Sequence, residues 1–273
     1  MASFLVNGWP AQSVDSGDRG LMYGDGVFRT ILVRSGRALN WPRHYRLLAR
    51  DCAALGFACP AESTLVEEIG RVAARDATVK VIVTRGASGR GYAYPEEISP
   101  TRIVVAYPAL PVDPRLASEG VRVRRCALVL GEQPRLAGVK SLNRLENVLA
   151  RAEWRDPAIA EGLLADGAGR LVEGTMSNVF IATGGRLATP DLRRCGVNGA
   201  QRERVIELAH AAGIGCEIRD IAFDELQEAG EVFLTNSIIG LWPVVALDDR
   251  RWVPGPVARR LQRLVGEEDA LEA

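Results

Sequence analysis

Apolar and polar positions alternate with a period of two in several stretches of this chain and recur every three to four residues in others. "FLVNG" (4–8), "VFRTILVRSG" (27–36), "ATVKVIVTRG" (77–86) and "TRIVVAYP" (101–108) are β-branched and alternating, as strands require. "PRHYRLLARDCAALG" (42–56) has helical spacing, with Pro42 near its start and Gly56 at its end, and "TLVEEIGRVAAR" (64–75) reads as a second helix. "GASGRGYAYPEEISP" (86–100) is a Gly- and Pro-rich loop, and loops of that length more often serve function than join elements. "ALPVDPRLASEG" (109–120) is broken by prolines, has little apolar periodicity and is read as a linker. After it, "VRVRRCALVL", "EGLLAD", "LVEGTMSNVFIAT", "RLATP", "CEIRDI" and "EVFLTNS" predict strands, while "NRLENVLARAEW", "QRERVIELAHAAG" and "PVARRLQRLVG" predict helices. The expected architecture is α/β (α+β): a small N-terminal domain over 1–111 and a larger C-terminal domain over 112–273 that carries Lys140, with the active site in the cleft between them.

Composition narrows the function classes. The 273 residues carry 34 basic and 34 acidic side chains, so no basic excess points to nucleic acid or an anionic membrane. The longest apolar run, "SIIGLWPVVAL", is far short of a membrane span, and the N-terminus turns polar within a few residues, which predicts a cytoplasmic protein without a signal peptide. The five cysteines have no CxxC spacing and suit reduced core thiols better than disulfides or zinc. With two histidines only, His44 and His210, a His-based metal site or a Ser-His-Asp triad lacks its components.

Four features can carry chemistry. Lys140, in "RLAGVKSLNRLENVLARAEW", stands between a Gly-containing loop and a helical pattern; a lysine held at an element end can serve as a Schiff-base amine, although most lysines are solvated. "RCGVNGAQRERVIELA" runs a Gly-Val-Asn-Gly loop into a helix, a place where main-chain N–H groups converge on an anion or where Asn198 and Gly199 make only a tight connection. Asn236-Ser237, after a strand, can complete a phosphate cup. Glu173 is acidic within an apolar strand-like run, where a carboxylate is exposed, paired, or set against a protonated ring nitrogen. Nearby Asn178 orients a neighbour or caps a turn. The glycines of "TRGASGRGY" do not open a helix after a first strand and so fail the nucleotide-loop pattern; Arg85 and Arg90 there read as carboxylate binders or as solvated cations.

Together "DRGLMYGDGVFRT", "VTRGASGRGY", "LAGVKSLNRLENVLAR", "EGTMSNVF", "GVNGAQR" and "NSIIGLWPV" resemble the fold-type IV pyridoxal 5'-phosphate (PLP) enzymes over nearly the whole chain, and within them the aminodeoxychorismate lyase branch. The resemblance implies Lys140 as the Schiff-base lysine, Glu173 as partner of the pyridine nitrogen, Val197, Asn198 and Gly199 with Asn236 and Ser237 as phosphate contacts, and Thr30 near the substrate. It implies a lyase that converts 4-amino-4-deoxychorismate to 4-aminobenzoate and pyruvate, with Lys140 as base and Lys140 or Thr30 returning the last proton. Arg29, Arg90 and Arg144 are candidates for the two substrate carboxylates, and a homodimer is expected. One position departs from the family: the phosphate-binding arginine expected three residues after His44 is Leu47, with Arg46 one residue earlier, where a helix turns about 100° per residue. Two other readings use the same residues: a D-amino-acid or branched-chain aminotransferase, and a PLP-binding protein whose catalysis is impaired.

Overall fold

The computed structural model describes residues 3–94, 96–97, 99–109 and 111–272; Pro95 and Ile98 of the expected loop and Leu110 of the expected linker lie outside the described residues. The chain divides into two compact units, one of Met1–Pro111 with Val139–Asn143 and Leu271–Ala273, the other of Val112–Gly138 with Arg144–Ala270.

The first unit contains, in chain order, β1 (Ser3–Val6), β2 (Trp9–Pro10), α1 (Arg19–Tyr23), β3 (Gly26–Arg34), β4 (Arg37–Ala38), α2 (Trp41–Ala54), α3 (Glu62–Val72), β5 (Ala77–Thr84) and β6 (Thr101–Pro108). Its six strands form one sheet in the order β2-β1-β6-β5-β3-β4. The period-two pattern decides what each face holds. Val27, Ile31 and Val33 of β3 and Val79, Val81 and Val83 of β5 are buried with Leu48 and Cys52 of α2 and Leu65 and Ile69 of α3. The alternate positions, Phe28 and Thr30 of β3 and Lys80 and Ile82 of β5, are half-buried on the opposite face.

Val139–Asn143, expected in the C-terminal domain, belongs to this first unit. Hydrogen bonds account for it: Phe28 N–H donates to Lys140 O (3.0 Å), Leu142 N–H to Gly26 O (2.9 Å), and Ser141 bridges Val27 in antiparallel register. The lysine segment is in effect one more short strand beside β3.

The second unit contains α4 (Pro114–Ser118), β7 (Val121–Leu130), α5 (Leu145–Arg151), β8 (Ile159–Asp166), β9 (Leu171–Gly174), β10 (Asn178–Thr183), β11 (Arg186–Pro190), α6 (Ala200–Ala211), β12 (Cys216–Arg219), β13 (Glu231–Asn236), β14 (Gly240–Leu247), β15 (Arg250–Arg251) and α7 (Pro256–Glu272). Nine strands form one sheet, β12-β11-β10-β13-β14-β7-β8-β9, with β15 paired to β14. Phe180 and Phe233, stacked at 5.1 Å, pack with Val205 and Ala209 of α6 and Val257 and Leu261 of α7 on one face, while Val179, Ile181, Leu234 and Trp242 build the other. Burial on both faces explains why these strands read as near-continuous apolar runs.

Three elements differ from their sequence readings. The linker holds the short helix α4, capped by Asp113, whose carboxylate accepts the Arg115 N–H. The helix expected over 143–154 is confined to Leu145–Arg151, and past it Trp154 turns its indole N–H to Ile159 O (3.0 Å). The single strand expected over 171–183 is two, β9 and β10. Buried Glu161 draws the residues between them into a turn, accepting from Thr175 N–H (3.1 Å) and hydroxyl, Met176 N–H (3.1 Å) and Ser177 Oγ (2.9 Å). No helix of the described residues is long and apolar enough to cross a membrane, and all five cysteines are free thiols.

Candidate active site

In the first unit, Lys140 is half-buried and its Nζ lies 4.7 Å from the Phe28 ring centroid. Thr30 stands two residues along β3 on that same face, directly across from Lys80 of β5. Lys80 was not singled out in the sequence; its Nζ lies 4.5 Å from the same Phe28 ring, and burial lowers its pKa. The alternation of "TVKVIV" puts Lys80 opposite the buried valines, but only the β3–β5 register sets it beside Thr30. Two amines thus border one aromatic ring, and Thr30 shares the strand face that carries it.

The arginines expected to meet substrate carboxylates divide. Arg29 points to the other face, 2% exposed, and forms an ion pair with Asp51 of α2, so it is a structural cation and not a substrate contact. Arg85 is likewise buried, donating to Asp25 (2.7 Å) and to the carbonyls of Leu55 (2.6 Å) and Gly56 (3.2 Å). Burial raises the Asp25 pKa, but the guanidiniums of Arg85 and Arg19 outweigh this and hold it below its ordinary value. Arg19 also donates to the carbonyls of Gly91 (3.0 Å) and Tyr92 (2.9 Å), which pins the glycine-rich loop bearing Arg90. Arg90 itself is exposed.

On α2, Leu47 is fully buried in the position where the family arginine is expected, and Arg46 is exposed, so Arg46 does not take over that place. His44 is buried and neither ring nitrogen has a hydrogen-bond partner among the described residues. Burial, then the Arg29 and Lys140 cations, pushes its pKa from 6.5 down to about 3. The unfolded chain therefore binds a proton as the pH falls through 6.5 while the folded chain stays neutral until about 3. Stability present above pH 6.5 is lost on acidification, by up to about 1.4 kcal/mol per pH unit. A His44→Leu protein should lose less thermal stability between neutral pH and mild acid than the parent; equal losses in the two would remove His44 as the cause.

In the second unit, Glu173 lies on β9, 4% exposed, and its Oε2 accepts the Val197 N–H at 2.7 Å. Asn178, at the start of β10, donates to Val197 O (2.8 Å) and accepts from Gly199 N–H (3.2 Å), so it straps the loop that leads into α6. Glycine is required twice here. Gly196 has φ +85°, and a Cβ there would meet Val172 Cγ1 at 2.7 Å; a Cβ on Gly199 would collide with Asn178 Oδ1. Gly199 is also the N-cap of α6 and carries no side chain with which to cap it. Asn198 instead bonds to Glu203 (2.7 Å) and Arg202 (3.0 Å). A twelve-residue helix thus begins, with its positive dipole end, beside a buried carboxylate.

Ser237 is half-buried past the end of β13. The Asn236 side chain is committed elsewhere than expected: it accepts from Ile238 N–H (2.8 Å) and Ile239 N–H (2.9 Å) and donates to Met176 O (3.0 Å), so its contribution is to shape the turn that carries Ser237. Arg144, half-buried, is the N-cap of α5 and reaches Asn147 at 3.3 Å. Within the first unit, then, the fold brings together Lys140 and Thr30, and within the second Glu173, Val197, Asn198 and Gly199.

The sequence profile described as Amino-transferase class IV matches residues 26–247, a span that includes every residue of both clusters except Arg19 and Asp25 of the supporting loop network. The chain belongs to the class IV amino-transferase family. It is 31% identical over 267 residues to the aminodeoxychorismate lyase of Vibrio harveyi, covering 96% of this chain and 98% of that one. Among solved structures it resembles the 4-amino-4-deoxychorismate lyase of Pseudomonas aeruginosa, with a TM-score of 0.92 and 45% identity over 97% of this chain and 98% of the other. The PLP-bound form of a hypothetical aminotransferase from Mycobacterium tuberculosis matches with a TM-score of 0.83 over 100% of both chains, but at 24% identity that likeness speaks to the fold alone.

Proposed function

We propose that this protein is a PLP-dependent lyase that converts 4-amino-4-deoxychorismate to 4-aminobenzoate and pyruvate. The observation that carries the reading is the full-length likeness to the Pseudomonas aeruginosa lyase, which exceeds that to the aminotransferase named above in both identity and TM-score.

The residues present fit the cofactor. Glu173 is buried and acidic, a group suited to face a protonated pyridine nitrogen. The N-terminal end of the α6 dipole, with Val197, Asn198 and Gly199 leading into it and Ser237 on its own turn, suits a phosphate. Lys140 supplies the amine for the aldehyde. When bound, PLP provides an electron sink for the carbon from which a proton is removed.

The chain's own groups do the rest. Lys140 Nζ takes the proton from the ring carbon that bears the substrate amine, and Phe28 limits where that amine can sit. Glu173 supplies the carboxylate that would hold the cofactor's ring nitrogen. Loss of the enolpyruvyl group leaves an aromatic ring, which makes release effectively one-way. Thr30 Oγ1, or Lys140 itself, returns the proton that yields pyruvate. Arg90 and Lys80 are the cations suited to the substrate carboxylates, Arg90 from the exposed loop and Lys80 from the face that holds Lys140 and Thr30.

The deciding experiment supplies the purified protein with PLP and 4-amino-4-deoxychorismate and follows pyruvate and 4-aminobenzoate together. Equal release of both supports the lyase; amino-group exchange with alanine or glutamate in place of release would replace it with an aminotransferase. For Lys80→Met, about a tenfold rise in KM with kcat within a few-fold is expected, the pattern of a lost binding contact. An unchanged KM would mean that Lys80 does not touch the substrate.

We place the protein as a homodimer in the cytoplasm. Leu145, Val148 and Leu149 stand exposed along one side of α5, and Asn147 ties that helix, through Thr175 O (3.0 Å), to the turn bearing exposed Met176; a continuous apolar strip of this kind suits a second copy. Sedimentation as a monomer at micromolar concentration would refute it. Five free thiols suit a reducing compartment, and disulfides found by mass spectrometry in protein taken from cells would speak against it.

A further inference from the structure

Asp51 lies in the last turn of α2 and is fully buried. Its Oδ2 accepts the main-chain N–H of Lys140 at 3.1 Å and also pairs with Arg29 Nη2, and its Oδ1 accepts from Arg50 at 3.1 Å. Three segments therefore meet on one carboxylate: the helix that carries it, strand β3 through Arg29, and the Lys140 segment.

Burying a carboxylate costs several kcal/mol unless charge and hydrogen bonds compensate. Arg29, itself 2% exposed, supplies the charge. That leaves the second role of Oδ2, a charge-assisted bond to a single peptide N–H, one of the stronger ways to hold a main-chain group. The other side of the same residue is also held, because Lys140 O accepts from Phe28 N–H at 3.0 Å. With the N–H and the C=O of Lys140 both tied down, its Cα cannot drift, and only side-chain rotation decides where Nζ lies.

β3 connects this anchor to the reacting face. Arg29 sits between Phe28, which borders Lys140 Nζ, and Thr30, and strand alternation sends the arginine to the opposite side from both. The ion pair thus holds β3 and α2 together directly behind Phe28, whose ring borders the lysine amine.

We propose that Asp51, balanced by Arg29, is a positioning residue for Lys140 that sets its main chain for reaction. This rests on the reading of Lys140 as the reactive amine. Two variants test it. Asp51→Asn keeps the shape and an oxygen that can accept the Lys140 N–H. The pair Arg29→Met with Asp51→Leu removes both charges together, so no lone buried charge is left to unfold the protein.

In the double variant, amide hydrogen exchange at Lys140 should speed up at least about tenfold while the amides of Val79, Val81 and Val83 in β5 keep their protection. Its kcat for product release should fall about tenfold to a hundredfold with KM within a few-fold, since a lysine out of place affects the transition state more than binding. Asp51→Asn should recover part of both. A double variant with β5 protected, Lys140 exchange fast and kcat unchanged would overturn the proposal, and so would unchanged Lys140 exchange. Exchange is read without cofactor or substrate. Should Lys140→Ala keep its activity, the function reading would fail while the anchor itself could still be measured.

Discussion

Lys140→Ala should release neither pyruvate nor 4-aminobenzoate, with turnover down by more than about 10⁴-fold, because in the proposed mechanism one side chain acts as both the cofactor amine and the proton-transferring base. Removal of the side chain leaves intact the main-chain bonds that seat this segment, namely Phe28 N–H to Lys140 O and Lys140 N–H to Asp51, so the protein should stay folded. The measurement is simultaneous assay of both products, with circular dichroism to check the fold. A folded Lys140→Ala protein that retains a tenth of the parent rate would end the proposed mechanism. Because both roles vanish together, the loss should exceed that from any other single substitution at the site.

Glu173→Gln is expected to lower kcat about a hundredfold while leaving the fold in place. Its carbonyl can still accept the Val197 N–H, so the loop before α6 keeps its support, whereas the charge that the proposed function sets against the ring nitrogen is gone. Glu173→Ala would add a second fault, a buried main-chain N–H without its acceptor, at about 1–3 kcal/mol. The glutamine variant is the cleaner test for that reason. If it turns over within twofold of the parent, Glu173 serves only to hold Val197 and the proposed electrostatic role fails.

The chemistry was more legible than the contacts around it. The Gly-Val-Asn-Gly loop pointed to a helix start, with an anion site or a tight connection as its two readings, and the structure has Gly199 at the N-cap of α6. Glu173 stood out as an acid in an apolar run and is buried. The misreading of Arg29 had a remedy in plain view: the two-residue period puts it with Val27, Ile31 and Val33, which is the core face, and Thr30 with Phe28. Asp51 carried a weaker signal, a carboxylate three residues past Leu48 and beside Cys52 on the apolar side of a helix, which calls for a cation without saying which. The break between β9 and β10 gave no local sign, since the carboxylate that bends it, Glu161, comes from the preceding strand of the pair.

By itself the sequence determined the fold class, most of the strands and helices, and the family of the chain, because hydrophobic period, turn residues and motifs are all properties of neighbours along the chain. Only the tertiary structure decided that the Lys140 segment joins the N-terminal sheet, that Lys80 faces Thr30 across β3 and β5, and that Asp51 takes Arg29 as its ion partner while also holding Lys140. The two bonds to Asp51 join residues 22 and 89 positions apart, and which of many charged groups becomes the partner is a matter of strand register and burial, settled only when the chain has closed on itself.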